Sequence, residues 1–210
     1  SVFTQAEGLF DGPTNVSRVG LFPNYISSLN DYFEKILAFK PLYYPHDKLD
    51  QTAFESILSK YFGWTRIRIS YKQKPSIRIE FRPMSTQPTI LENIALTEFY
   101  INSLLNLMKN NYPLLPHNYL PKNFDNSMRN GMNAKLFWDM GSGIQTYPVH
   151  QILNHLFDLT NKGNYSEIIS NRIAQKKSPI DKILKETKEF GYQKAIEHYK
   201  HSFENETPFI

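Results

Sequence analysis

The chain contains no cysteine. That absence excludes disulfides, thiolate metal sites and a cysteine nucleophile. No apolar run approaches the ~18 residues of a membrane-spanning helix, and no charged-then-apolar leader opens the sequence, so the cytoplasm is the expected location and no membrane partner is expected. An excess of one charge is also nearly missing. The 24 basic and 20 acidic residues leave a formal charge of +4, which suits weak attraction to anions rather than a dedicated DNA-binding surface. No G-x-S-x-G element supports a serine hydrolase. The six histidines include no H-x-x-x-H pair, and Gly141-Ser142-Gly143 lacks the lysine and following helix of a phosphate loop, so a plain turn is expected there. Ser1 stands in place of an initiator methionine, which points to a processed product or a piece of a longer chain.

What is present is an ordinary globular composition at 210 residues, enough for one or two domains: 40% hydrophobic, 21% charged and a high 14% aromatic. The most informative stretch is residues 76–93, SIRIEFRPMSTQPTILEN. Ile77, Ile79 and Phe81 alternate with Arg78, Glu80 and Arg82, the two-residue period of a half-buried strand with an apolar face for a core. Before it, Ile67, Ile69 and Tyr71 alternate with Arg66, Arg68, Ser70 and Lys72, and a turn through Gln73, Lys74 and Pro75 joins the two. Paired as an antiparallel hairpin, the strands put Arg66, Arg68, Arg78, Glu80 and Arg82 on one face. Four cations around one carboxylate repel one another unless an anion completes the set. A solvated face of cross-strand ion pairs is the plain alternative.

The rest reads mainly as helix and loop. Residues 1–26 show no sustained period. Leu29, Tyr32, Phe33, Ile36 and Leu37 follow helical spacing after a Ser27 or Ser28 cap, and Pro41 and Pro45 close that helix. Phe54, Ile57, Leu58, Tyr61 and Phe62 mark a second helix from about Asp50, ended by Gly63. Thr89 and Glu92 form a capping box that opens a long helix to about Met108, whose apolar positions nearly encircle it and predict extensive burial beneath the sheet or at an interface. Pro113, Pro116 and Pro121 predict a long irregular connection. Thr146 to Phe157 reads as a helix with Pro148 in its first turn, and further helices run from Ser178-Pro179 and from Phe190 to Phe203. His198 and His201 share a helix face, a spacing open to a metal but set among lysines and glutamates as an exposed polar stripe. The expected fold is α+β: a small antiparallel sheet backed by the long helix, in a sheet-and-helix region over 1–125, closed by a helical region over 126–210, the two forming one compact unit.

Residues 76–104 resemble the strand–turn–helix of the glutamate–cysteine ligase family, in the glutamine synthetase superfamily of carboxylate–amine ligases. Its pattern there is roughly E-[VF]-R-x-x-D-x-Q-P-[ST] before a long apolar helix. Glu80-Phe81-Arg82 and Gln87-Pro88-Thr89 fit it, while the family's acidic position is Ser85 here. Trp64 to Arg68 is similar to the preceding W-x-x-x-R strand, Arg129 to Leu136 to a downstream R-H-G-L-D-A-x-L segment, and Asn15 to Arg18 with Gly20 to Pro23 to upstream turns. Family members are considerably longer, so the resemblance is to the C-terminal part of such an enzyme, completed by an N-terminal half or a second polypeptide, or to a relative lacking the rest.

The resemblance implies a glutamine-synthetase-like catalytic half and ATP-dependent phosphorylation of the glutamate side-chain carboxylate, followed by attack of an amine or amino acid. Under it Glu80 ligates Mg²⁺ or Mn²⁺, Arg82 neutralises the transferring phosphoryl group, and Arg68 and Arg66 hold nucleotide phosphate or substrate carboxylate. The rivals are a basic, aromatic surface for single-stranded RNA and an inactive scaffold. Glu80 in the middle of the face disfavours RNA, because it repels a phosphate backbone.

Overall fold

The computed structural model describes residues 25–38, 65–70, 74, 76–81, 84–160 and 162–210. They fall in two compact units, Ser1–Ser85 and Thr86–Ile210. The expected loop at the N-terminus up to residue 24, the helix from Asp50, the closing prolines Pro41 and Pro45, and Arg82 lie outside the described residues.

In the first unit, helix α1 spans Leu29–Ala38. Ser28 caps it as expected: its Oγ accepts the Asp31 N–H at 3.1 Å, and the Asp31 carboxylate accepts the Ser27 N–H at 2.7 Å. Lys35 pairs with Asp31 one turn on, at 2.6 Å. Strands β1 (Thr65–Ser70) and β2 (Ser76–Phe81) form an antiparallel hairpin. The Tyr32 hydroxyl binds the backbone of β1, accepting the Ile67 N–H at 3.0 Å and donating to the Ile67 carbonyl at 3.4 Å. One phenol thus satisfies two backbone groups that a two-stranded sheet leaves unpaired at its edge. The apolar face of β2 departs from expectation, with Ile77 and Ile79 largely exposed, Ile79 at 68%. Among the described residues, α1 meets β1 at its backbone and leaves those two side chains uncovered.

In the second unit, the long helix α2 (Ile90–Lys109) starts at the Thr89–Glu92 capping box. The next elements are a 3₁₀ turn at His117–Tyr119, α3 (Leu120–Asn130), β3 (Lys135–Asp139), β4 (Ile144–Pro148), α4 (Val149–Leu159), α5 (Ser166–Gln175), α6 (Pro179–Phe190) and α7 (Tyr192–Glu204). The core joins Ala95 of α2 to Ile168, Ile169 and Ile173 of α5, with Phe99 and Phe157 packed against it. Within this unit α2 packs on a pair of helices, α4 and α5. Two neighbours cover one side of a helix, so Ile90, Ile94, Ile101, Leu105 and Met108 remain exposed and the expected near-complete burial does not hold.

The supposed irregular connection contains α3, with Pro121 in its first turn, where a missing N–H costs nothing. The Asn123 side chain ties α3 to the next strand, accepting the Phe137 N–H at 2.7 Å and donating to its carbonyl at 2.9 Å. Thr146 and Pro148, expected in a helix, belong to β4, which pairs with β3; the helix begins one residue later. Gly141-Ser142-Gly143 is the hairpin turn, held by Asp139 Oδ1, which accepts the N–H groups of Gly141 and Gly143 at 2.7 and 3.1 Å. The architecture is thus mixed helix with two small antiparallel sheets, an α+β arrangement.

Candidate functional site

The register of β1 and β2 decides which charges meet. Arg66 lies opposite Glu80 and Arg68 opposite Arg78. Directly opposed residues, and those two apart on a strand, share a face, so the positions of Arg66, Arg68, Arg78 and Glu80 lie on one face of the hairpin. Arg68 Nε reaches diagonally to Glu80 Oε2 at 3.2 Å, both side chains more than a third exposed. An ion pair so wet is worth about 0–1 kcal/mol. It therefore orients the guanidinium more than it stabilises the hairpin. Arg68 and Arg78, opposed like charges, gain from any further anion on this face. Arg82, the fourth expected cation, lies outside the described residues.

Mg²⁺ is held by oxygen donors, usually one or two carboxylates together with phosphates and water. Glu80 already accepts Arg68 and stands among arginines, and among the described residues no group of three or more His, Asp or Glu side chains could hold a metal ion. This donor set suits an anion better than a cation. His198 and His201 make separate contacts: His198 Nδ1 lies 3.2 Å from Glu186 Oε2, and His201 Nδ1 lies 3.0 Å from the Asn205 amide.

The most enclosed polar constellation lies in the second unit and includes Arg172, which the sequence pattern does not single out. Glu92, the far half of the capping box, is fully buried. Its Oε2 accepts the Thr89 N–H at 3.1 Å and the Thr89 hydroxyl at 2.9 Å; its Oε1 accepts Arg172 Nη2 at 2.6 Å and the Phe209 N–H at 3.1 Å. Arg172 Nη1 donates to Gln87 Oε1 at 2.7 Å. Gln87 and Thr89 of the Q-P-T turn are thus engaged with buried protein groups. A carboxylate with four donors and a guanidinium with two acceptors satisfy the general requirement that buried charge be paired. The visible signal was a glutamate on a mostly apolar helix. For Arg172 the signal was its place on the apolar stripe of Ile168, Ile169 and Ile173, which marks it as buried but does not name its partner.

A smaller cluster joins the end of α2 to the β3–β4 hairpin. The Tyr112 hydroxyl donates to the Asp139 carbonyl and lies 3.2 Å from His155 Nε2, and the Tyr112 and Trp138 ring centres are 6.3 Å apart. Burial pushes the Tyr112 phenol above its ordinary pKa.

Compared with protein-family models, curated proteins and solved structures, the chain matches none. The fold and site geometry therefore stand on their own residues.

Proposed function

We propose that this chain works in an ATP-dependent carboxylate–amine ligase of the kind the glutamate–cysteine ligase resemblance implies, with the arginine-bearing face of β1–β2 as the wall that holds its anions. The observation that supports it is the strand register, which puts the positions of Arg66, Arg68, Arg78 and Glu80 on one face, with Arg68 paired to Glu80. Forming an acyl phosphate from a carboxylate and ATP requires two anions to approach each other. Fixed guanidinium groups lower that barrier by offsetting repulsion and by gripping oxygens in a planar fork. Glu80 holds Arg68 in position, and Arg66 occupies the register position directly across from Glu80. Mg²⁺ would supply charge neutralisation of the ATP phosphates; the described residues alone do not make its site. Glutamate and an accepting amine are the proposed co-substrates.

Thermal unfolding with ATP, ADP and pyrophosphate, each with and without Mg²⁺, tests this reading. A ligand at about 100 times its Kd adds about 2.7 kcal/mol, or roughly 5–10 °C at this chain length. The expected result is a nucleotide-dependent shift that Arg68→Ala and Arg66→Ala each reduce, accompanied by glutamate-dependent release of ADP. A shift that both variants leave intact, or no shift with any phosphate, would sink the assignment.

A further inference from the structure

The C-terminal residues are seated in their own molecule in the manner of a bound peptide. Helix α7 ends in a Schellman-type turn: the Glu206 N–H reaches the Phe203 carbonyl and the Thr207 N–H the Ser202 carbonyl. Glu206 takes the position, at φ 49°, where glycine is usual. A glutamate accepts that backbone strain here while its carboxylate is used elsewhere, accepting the Ile90 N–H at the start of α2 at 3.1 Å. Three residues on, Phe209 is 1% exposed. Both of its backbone polar groups are taken by charged side chains: its N–H donates to Glu92 Oε1 at 3.1 Å, and its carbonyl accepts Lys182 Nζ at 2.7 Å. Its ring lies edge-on to Tyr199 at 5.6 Å and under Lys182 Nζ at 4.2 Å.

We infer that α2, α6 and α7 form a peptide-binding slot that reads an acidic residue followed three positions later by an aromatic one, and that residues 206–210 fill it in cis as a releasable latch. Recognition is by main-chain bonds to Glu92 and Lys182, by an aromatic pocket, and by the α2 N-terminus for the acid. This is the grammar of short-peptide binding, in which backbone bonds hold and side-chain pockets select. The segment is tied to α2 and α6 by single side-chain bonds and is not part of the Ala95–Ile169 core, so it can open while that core stays closed. The inference is independent of the ligase reading.

Hydrogen exchange on the unaltered chain is the first test. The amides of Ile90 and Phe209 should exchange through a local opening insensitive to low denaturant, at least ten-fold faster than core amides of α5. Exchange of both only through global unfolding would overturn the latch. The second test is binding of a fluorescent peptide, ENETPFI, followed by anisotropy. The Phe209→Ala chain should bind it at least ten-fold more tightly than the unaltered chain, whose slot is filled, and Phe209→Ala combined with Lys182→Ala should lose that gain. A folded Phe209→Ala chain, checked by circular dichroism, that binds no peptide would refute the slot. Glu206→Gly separates strain from recognition. It relieves the turn, yet Ile90 exchange should still accelerate; unchanged or slower exchange counts against the acidic anchor.

Discussion

Glu92 and Arg172 show how much a single pair of residues can organise when water is excluded. Each completes the other's buried charge, and each carries further bonds, to Thr89 and Phe209 on one side and Gln87 on the other. Arg172→Ala leaves a carboxylate buried without its cation and should cost about 3–5 kcal/mol, read as a fall in the urea midpoint with little change in slope. Thr89→Ala removes the cap and one of the four donors to the buried Glu92 carboxylate, and about 2 kcal/mol is expected in the same assay. Tyr112 supplies a pH signature. Its folded pKa lies above the ordinary phenol value, so the folded state holds the proton more tightly than the unfolded one. Its contribution is complete below the unfolded pKa of about 10 and is lost as pH rises through the folded value. Tyr112→Phe should therefore flatten part of the alkaline loss of stability, measured as melting temperature between about pH 9 and 11. The threonine cap and the arginine-flanked glutamate were legible residue by residue, because capping and strand alternation are local rules. Arg172 was not, since its meaning comes from a partner 80 positions away.

At the scale of elements, local rules succeeded where an element's limits are chemically marked and failed where they are not. The α1 cap at Ser28, the α2 capping box, the strands of β1–β2 and the start of α6 at Ser178-Pro179 all follow from side chains that satisfy backbone groups near the element's start or from period-two alternation. Proline misled twice. Pro121 sits inside the first turn of α3, and Pro148 ends β4 where a helix start was expected. In both cases the deciding contact is distant in sequence, the Asn123 clamp on Phe137 and the pairing of Lys135 with Pro148. Asn123→Ala should loosen α3 from the hairpin at a cost of about 1–2 kcal/mol, because it leaves a part-buried backbone donor and acceptor without their side-chain partner. Faster amide exchange at Phe137 would be the direct readout.

At the scale of the molecule, Thr86–Ile210 has its own core and its own buried ion pair. Residues 86–210 produced alone should unfold cooperatively and keep their helical circular dichroism, whereas loss of cooperativity would mean that this unit depends on the first. The two compact units divide between Ser85 and Thr86, whereas the sequence pattern suggests regions over 1–125 and 126–210 of one compact unit. The long helix had been grouped with the strands that precede it, whereas its core contacts lie with α5, which follows it. By itself the sequence determined the α+β character, the hairpin and its charged face, because period, cap and turn are set by neighbours along the chain. Only the tertiary structure decided that Gln87, Thr89, Glu92, Arg172 and Phe209 share one buried network. Burial is a property of what packs on top of a residue, and no local pattern in a chain specifies which distant group that will be.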